Sequence, residues 1–422
     1  MAERNEGEKM EDHTLIGILQ KYGTPTYVFD TGAFQRRIRE VRDILGEHIA
    51  LCYSVKANPF LIPAAAEAAD RLEVCSPGEL EICENLSVPM EKVVYSGVNK
   101  EPGDVRQAIG DAVGCCTAES LRHVKILNAE ALQAGKVVPV LLRLNHGSQF
   151  GMSREDLLSV IDRRKEYPGI AIEGIHYFVG TQRRNRDLHQ QKEELRMLED
   201  LFREVREQHG YELKKLEYGP GLPVPLFVGD DFSDTLAPAR ELAPALQHMA
   251  EFAELTVEAG RFLATECGYY LTRIMDQKTA GDKHYCIADG GIHHVNYLGQ
   301  LMGMKTPVIC HYQGNGDPDA NPAKVSYRRI LDDESHEYAL CGSLCTTNDD
   351  LVRSVRMAEI RPGDVLAFEN IGAYSVTEAM YLFLSRDLPR VVLVQQDGSW
   401  LLARDVKKTS PINTVCGAMD RR

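Results

Sequence analysis

The feature that most constrains the fold is a regular alternation of short β-rich runs with amphipathic stretches over the first two-thirds of the chain. The stretches AFQRRIREVRDILGEH (33–48) and LHQQKEELRMLEDLFREVREQHG (188–210) carry apolar residues at the three- and four-residue spacing of helices. Strands that alternate with helices form a parallel sheet. The runs that predict strands are 26–30, 50–57, 71–76, 92–97, 137–144, 172–180, 215–221 and 254–260.

About eight such units in roughly 250 residues favour a (β/α)8 barrel. An open, doubly wound sheet is the alternative. Beyond residue 270, strand-like runs are joined by Gly, Asp and Asn turns with little amphipathic helix between them, which predicts a mainly antiparallel β domain. We therefore expect an N-terminal segment (1–24) that packs on the β domain, a barrel over 25–268, and a C-terminal β domain over 269–422.

Composition narrows the class of protein. The net charge is −14, from 48 basic and 62 acidic residues, whereas a nucleic-acid-binding protein usually has a basic face. No apolar run is long enough to cross a bilayer. The acidic start MAERNEGEKMEDHT is unlike a targeting peptide, and eleven scattered cysteines fit reduced thiols. We expect a cytoplasmic protein without a nucleic-acid or membrane partner and without a metal site.

Chemically suggestive residues stand where several predicted strands end. Lys56 ends one run, and IHYFVGTQ (175–182) ends another with a glycine and a hydroxyl. YGPG (218–221) predicts a tight turn, and VEAGR (257–261) places a carboxylate and a guanidinium three residues apart. In a barrel the carboxyl ends of the strands face the active site. Together they are the groups that pyridoxal phosphate requires: amides and a hydroxyl for its phosphate, a partner for its ring nitrogen, and an amine for its aldehyde. Taken singly, each is more often an ordinary turn or surface pair.

The chain resembles the diaminopimelate/ornithine decarboxylase family, whose members are pyridoxal-phosphate enzymes with an alanine-racemase-like barrel and an added β domain. YSVKANPF (53–60) is similar to the family's Tyr-x-x-Lys-Ala-Asn segment. Further similar segments follow in the family's order over more than 300 residues. They are EVCSPGEL (73–80), HYFVGTQ (176–182), EYGPGLPVP (217–225), EAGR (258–261), CGSLCTTNDDL (341–351) and GAY (372–374).

The resemblance implies two catalytic residues. Lys56 matches the lysine that forms a Schiff base with the cofactor. Cys345 matches a cysteine that reaches the site from the neighbouring subunit and protonates Cα after CO2 leaves, which implies a homodimer with shared sites. The alternative for Cys345 is a small buried apolar residue.

The resemblance also implies the cofactor contacts. Glu258 would face the pyridine nitrogen and keep it protonated, which favours decarboxylation over racemisation. The implied contacts are Lys56, Phe178, Gly180, Thr181, Gly219, Gly221, Glu258, Gly260, Arg261 and Tyr374.

The chain departs from the family pattern at three positions near the cofactor. Phe178 stands at the second histidine of the family's His-x-His and retains an aromatic face that can stack on the ring. Pro220 replaces a glycine and removes one amide donor. Ala259 replaces a proline. His176, the first histidine of the pair, is interpreted as a structural residue.

The substrate is predicted less narrowly. Thr346 stands where diaminopimelate decarboxylases have a glutamate, and segment 289–309 lacks the arginine that receives a distal carboxylate, so Arg261 alone is left for that role. These segments resemble a branch of specialised biosynthesis, some of whose members act on a glutamyl group carried by an acyl carrier protein. We expect decarboxylation of an amino acid that is free, modified or carrier-bound.

Four residues are candidate substrate contacts: Thr346, Asp349, His293 and His294. For the two histidines, a solvated turn is the equal alternative. Diaminopimelate decarboxylation itself, racemisation, and non-catalytic storage of the cofactor are the competing functions.

Overall fold

The computed structural model describes residues 10–183, 187–298, 304–331 and 334–415, so the first nine residues of the predicted N-terminal segment lie outside it. The chain forms two compact units, and each of them is assembled from segments that are separate in the sequence. The barrel unit comprises 35–224 and 234–263, and the β unit comprises 1–34, 225–233 and 264–422.

Within the described ranges, the strands and helices follow one another along the chain. The strands are β1 (Thr26–Asp30), β2 (Ala50–Ser54), β3 (Arg71–Val74), β4 (Val93–Tyr95), β5 (Cys115–Ala118), β6 (Val138–Arg143), β7 (Ile170–Phe178), β8 (Lys215–Gly219), β9 (Glu254–Ala259), β10 (Gly268–Ala280), β11 (Lys283–Ala288), β12 (Ile309–Gln313), β13 (Arg328–Ile330), β14 (His336–Cys341), β15 (Asp350–Met357), β16 (Val365–Phe368), β17 (Arg390–Val394) and β18 (Trp400–Arg404). The helices are α1 (Asp12–Tyr22), α2 (Thr31–Leu45), α3 (Ile62–Ala68), α4 (Pro77–Asn85), α5 (Pro102–Gly110), α6 (Leu121–Gln133), α7 (Arg154–Asp162), α8 (Leu188–Gln208), α9 (Ala237–Ala250), α10 (Arg261–Ala264) and α11 (Ser375–Glu378).

Strands β2 to β9 form a closed parallel barrel in which each strand pairs with the next one along the chain. β9 closes the barrel on β2, with Val257 opposite Leu51. Seven helices, α3 to α9, separate the strands, which confirms the predicted (β/α)8 barrel. Because all eight strands are parallel, their carboxyl ends lie at one end of the barrel.

Three barrel helices begin after a serine that caps them. The hydroxyls of Ser76, Ser120 and Ser153 accept hydrogen bonds from the backbone N–H three residues later, at the starts of α4, α6 and α7. Such a cap satisfies one of the amide donors that the first helical turn leaves unpaired. The serines therefore determine where three of the strand-to-helix connections end.

The β unit is built on a sheet in the order β13-β12-β16-β10-β1-β17-β18, with β11, β14 and β15 branching from β10. Its pairs are antiparallel except β1 with β17 and β11 with β14. The predicted antiparallel β domain is confirmed. Helix α1 packs on this sheet through Leu15, Ile18 and Leu19, whose spacing places them on one face of the helix.

The sequence predicts the number of barrel strands correctly and one of their members wrongly. The run 26–30 forms β1, but β1 pairs with β10 and β17 of the β unit, whereas we expected it in the barrel. The missing barrel strand is β5, Cys115–Ala118, which contains only one β-branched residue and follows a glycine. β5 forms because it is buried between β4 and β6, an environment that outweighs its weak intrinsic preference.

None of the helices in the described ranges combines the length and the apolar character that a bilayer crossing requires.

The free energy of unfolding should fall as the pH falls below about 6.5, because two buried histidines resist protonation. Burial lowers the pKa of His293 to about 4, and burial and then the charge of His293 lower the pKa of His294 well below its usual value. The unfolded chain therefore binds protons that the folded protein excludes between about pH 6.5 and 4, at a cost of up to roughly 1.4 kcal/mol per pH unit per histidine.

Urea unfolding of the wild type and of His293→Gln across this pH range tests the expectation. The variant should lose less stability on acidification, whereas His189→Gln, at a side chain that is 86% exposed, should behave like the wild type. Equal acid sensitivity of wild type and His293→Gln would show that His293 does not contribute.

Candidate active site

Lys56 lies just beyond the carboxyl end of β2. The strand ends at Ser54, earlier than predicted, and Lys56 is the middle residue of a short 3-10 turn, Val55–Ala57. The chain turns here because Asn58 precedes a proline and accepts a hydrogen bond from the N–H of Phe60 through Oδ1 at 3.1 Å. The Lys56 side chain is 36% exposed, so it is not fully buried.

Two buried carboxylates and a thiol contact the Lys56 amine. Nζ lies 2.6 Å from Oε2 of Glu73 and 3.4 Å from Oε1 of Glu258, and both carboxylate side chains are only 4% exposed. Sγ of Cys75 is 3.6 Å from the same nitrogen. Because an unpaired buried carboxylate is costly, the ammonium offsets the burial of its two neighbours.

Glu258 is held in its ionised form. Besides Lys56, its carboxylate accepts hydrogen bonds from Oγ of Ser54 at 2.8 Å and from Nε2 of His176 at 3.0 Å. Burial alone would raise the pKa of Glu258, but the charge of Lys56 and the hydrogen bonds from His176 and Ser54 hold that pKa well below its usual value. His176, expected to be structural, thus orients this carboxylate.

Glu217 has the opposite protonation state. It lies on β8, in register with His176 on β7, and is 2% exposed. Burial, followed by the negative charges of Glu258 and Glu73, raises the pKa of Glu217 well above its usual value. Its Oε1 has no hydrogen-bond partner among the residues that the structure describes. The barrel interior therefore contains one carboxylate that stays ionised and one carboxyl group that stays protonated.

The turns that follow β7 and β8 approach each other through glycines. Gly221 has φ +64°, and a Cβ there would lie 2.0 Å from the carbonyl oxygen of Gly180. A Cβ on Gly219 would lie 2.3 Å from the ring of Phe178. Neither position has room for a side chain, so the two turns approach this closely because both residues are glycines. Successive amides of this kind can bind an anion, and the exposed Thr181 adds a hydroxyl.

The barrel unit brings most of the predicted site residues to the carboxyl ends of four adjacent strands: β7, β8, β9 and β2. Arg261 begins α10 directly after β9 and is 7% exposed. The predicted residues found at this end of the barrel are Lys56, Phe178, Gly180, Thr181, Gly219, Gly221, Glu258, Gly260 and Arg261.

The other predicted residues lie in the β unit. Cys345 is exposed, in the turn that connects β14 to β15, and Thr346 beside it is half-buried. Asp349 is buried, and its carboxylate accepts hydrogen bonds from the N–H of Ile292 at 2.8 Å and of Leu344 at 2.7 Å. These bonds fix the turn that carries Cys345. Substrate contact by Thr346 or Asp349 stays a prediction.

His293 and His294 are 1% and 2% exposed, so the solvated-turn alternative is wrong. Their rings lie 3.8 Å apart, and Nδ1 of His294 is 2.8 Å from the Tyr270 hydroxyl. Tyr374 adopts φ +69°, a conformation that is costly for a residue other than glycine and is common at functional sites. The roles of all three in binding stay predictions.

Sequence reasoning missed four residues around Lys56: Ser54, Glu73, Cys75 and Glu217. Glu73 and Glu217 carried a usable signal, since each is an acidic residue inside a β-rich run, as conspicuous there as Lys56. Ser54 and Cys75 carried none, because small polar residues are common in strand ends. Their contacts depend on how strands distant in sequence lie side by side.

Comparison with known proteins agrees with the family resemblance that the sequence motifs indicate. A family model described as "Pyridoxal-dependent decarboxylase, pyridoxal binding domain" matches residues 31–265. The chain is 26% identical over 419 residues to L-glutamyl-[BtrI acyl-carrier protein] decarboxylase of Niallia circulans, covering 94% of each chain. It is 25% identical over 390 residues to diaminopimelate decarboxylase of Aquifex aeolicus, covering 86% of this chain and 85% of the relative. The crystal structure of diaminopimelate decarboxylase from Methanocaldococcus jannaschii with L-lysine has the same fold, with a TM-score of 0.78 at 22% identity over 94% of this chain and 92% of the other.

We expect Glu217→Gln to be tolerated and to become increasingly stabilising as the pH rises. In the wild type, the unfolded chain ionises above about pH 4.5 while folded Glu217 stays protonated, so its contribution to the free energy of unfolding falls with rising pH. Glutamine is neutral and removes this dependence. Urea unfolding of both proteins between about pH 5 and about pH 8 should give curves that diverge with pH.

Glu258→Gln is the matched control and should behave in the opposite way. The pKa of Glu258 is lowered on folding, so its stabilising contribution is present above about pH 4.5 and is lost as the pH falls through the folded pKa. The control should therefore destabilise the protein at neutral pH. Parallel curves for wild type and Glu217→Gln would contradict the protonated state of Glu217.

Proposed function

The chain belongs to the pyridoxal-dependent decarboxylases, and on that premise we propose that it removes the α-carboxylate of an amino acid as CO2, with Lys56 holding the cofactor. Its cofactor is pyridoxal 5′-phosphate. One observation carries the assignment of the site: the amine of the partly exposed Lys56 lies at the end of the barrel, 3.4 Å from Oε1 of the buried Glu258, whose pKa is held well below its usual value.

The residues at the barrel end fit each part of the cofactor. Lys56 supplies the amine for the aldehyde, and Glu258 supplies an anion for the protonated ring nitrogen. Phe178 offers an aromatic face to the ring. The phosphate would be held by the glycine turns after β7 and β8 together with Thr181, Gly260 and Arg261. When bound, the cofactor supplies an electron sink for the pair of electrons that CO2 leaves behind.

The ionised state of Glu258 favours decarboxylation over racemisation. A carboxylate that is hydrogen-bonded by His176 and Ser54 keeps its charge, and a charged partner holds a proton at the ring nitrogen. A protonated ring withdraws electrons more strongly than a neutral one, which suits loss of CO2. Racemisation instead requires an acid or base on each face of Cα.

We propose that Cys345 returns the proton to Cα and that it does so from a second copy of the chain. Its exposure in the turn fixed by Asp349 supports a role across an interface. A strip of apolar side chains in the same unit also supports self-association, since each is between 42% and 51% exposed. The strip consists of Met380, Leu382, Phe383 and Leu384.

The substrate class follows from what the chain offers to the distal end of an amino acid. Thr346 is neutral where a diaminopimelate decarboxylase has a glutamate, which argues against a distal ammonium. Segment 289–309 offers no arginine to a distal carboxylate. A substrate whose distal group is masked, as in a modified or carrier-bound amino acid, needs neither charge. The 26% identity to a decarboxylase of a carrier-bound glutamyl group supports this choice, and diaminopimelate is the alternative.

We also place the enzyme in the cytoplasm. The ten cysteines of the described residues are free thiols, as in a reducing compartment.

Lys56→Ala should abolish both the yellow absorbance of the cofactor-loaded protein and the release of CO2, because Lys56 is the amine that we propose holds the aldehyde. Lys125→Ala, at an exposed residue of α6, is the matched control and should change neither. CO2 release is measured with lysine, ornithine, arginine, diaminopimelate, and glutamate both free and carried as a thioester on an acyl carrier protein.

Carrier-bound glutamate should give the fastest release. Faster turnover of diaminopimelate would contradict the substrate class and leave the reaction standing. A wild-type protein that never turns yellow with the cofactor would overturn the proposed function itself.

Mixing two inactive variants tests the shared site. Cys345→Ala should lower kcat by about 10² to 10⁴, as expected for loss of a general acid. In a mixture of Lys56→Ala and Cys345→Ala subunits, half of the dimers contain one intact site, so activity should recover to about a quarter of the wild-type value. No recovery after subunit exchange, or a monomeric active enzyme in sedimentation, would contradict the shared site.

A further inference from the structure

The turns after β7 and β8 are tied to each other by their own polar groups. The N–H of Arg183 donates to the carbonyl of Gly221 at 2.9 Å. The side chain of Gln182 bonds both backbone groups of Val224, accepting from its N–H at 2.8 Å and donating to its carbonyl at 2.9 Å. We call residues 179–183 the β7 turn and residues 220–224 the β8 turn. Their separation is fixed by these three bonds and by the glycine contact described above.

Side chains of helix α8 bond to both turns, and one of these contacts is a buried ion pair. The guanidinium of Arg183 donates to the two carboxylate oxygens of Glu194 at 2.7 and 2.8 Å, and both side chains are 8% exposed. The Tyr218 hydroxyl, at the end of β8, donates to the same carboxylate at 2.8 Å. Nε2 of Gln191 donates to the carbonyl of Pro220 in the β8 turn at 2.7 Å. Glu194 and Gln191 lie one turn apart on the same face of α8.

The ion pair acts on the backbone that faces the barrel end. The Cδ of Arg183 lies 3.2 Å from the position that a Cβ on Gly221 would take, so the Arg183 side chain supports the β8 turn as it crosses to α8. A two-pronged Arg–carboxylate contact fixes orientation as well as distance. Nη1 and Nη2 of Arg183 both donate to Glu194. The guanidinium is therefore bonded to α8 and is not directed at an anion at the barrel end.

We propose that Glu194 is a positioning residue for the cofactor: its pair with Arg183 sets the spacing of the two turns that bind the phosphate. The proposal rests on the proposed function, since it assumes that these turns receive the phosphate of pyridoxal phosphate. Loss of one partner of a buried ion pair leaves the other charge uncompensated, so the turns move apart when Glu194 is neutralised. A displacement near 1 Å is enough to weaken several amide contacts to one phosphate.

Glu194→Gln should raise the dissociation constant of pyridoxal phosphate about tenfold or more, while that of pyridoxal, which has no phosphate, stays within about twofold. Both constants are measured by absorbance titration of the purified apoenzyme, with circular dichroism to confirm folding. General damage to the barrel would weaken both ligands alike, so the ratio of the two constants isolates the phosphate. Glu166→Gln is the matched control, because it breaks an Arg–Glu pair whose side chains are 57% and 55% exposed.

Unchanged or tighter binding of pyridoxal phosphate by Glu194→Gln, or equal weakening of both ligands, would overturn the proposal. If Glu194→Gln does not fold, the variant Gln191→Met tests the proposal in its place. It removes only the bond to Pro220 and should raise the dissociation constant of pyridoxal phosphate about threefold, again without affecting pyridoxal. A wild type that binds neither ligand would defeat the proposed function, which is a different result from a variant that binds like the wild type.

Discussion

The ammonium of Lys56 determines the charge of the whole barrel end. It stands 3.4 Å from Glu258 and, with His176 and Ser54, keeps that carboxylate ionised. Burial of Glu217, and then the negative charges of Glu258 and Glu73, raise the pKa of Glu217 well above its usual value. Two glutamates in one barrel thus have pKa values shifted in opposite directions, because Glu258 has positive and hydrogen-bonding partners and Glu217 is buried beside negative ones.

The two parts of the barrel end are stabilised by different interactions. Electrostatics organises the lysine end, where every group is a side chain and its charge depends on its neighbours. Backbone geometry organises the turns after β7 and β8, where glycines admit close approach and α8 restrains the chain from behind. The first end suits chemistry that moves electrons and protons. The second end suits a ligand group that must be held without reacting.

Strand–helix alternation in the sequence predicted the barrel and the second domain correctly, and nine of the predicted site residues lie at the barrel end, while their roles stay predictions. It missed β5, whose four residues owe their strand conformation to neighbours that no local pattern reveals. It placed β1 in the wrong sheet for the same reason, since a strand's own residues do not specify its partner. Glu73 and Glu217 could have been found by the reasoning that singled out Lys56. The pair of Arg183 and Glu194 could not, because it depends on how α8 lies against two loops.

The position of β1 has a consequence for how the chain is made. Its partners, β10 and β17, begin at residues 268 and 390, so β1 leaves the ribosome long before either of its edges can be paired. The barrel strands are synthesised between β1 and β10. All eight are available by residue 259, so the barrel can close while β1 is still unpaired. During that interval the segment TYVFD, whose three central residues are Tyr, Val and Phe, has neither of its partner strands. The growing chain is therefore most prone to pair with another molecule through β1, in the time before β10 and β17 have been synthesised.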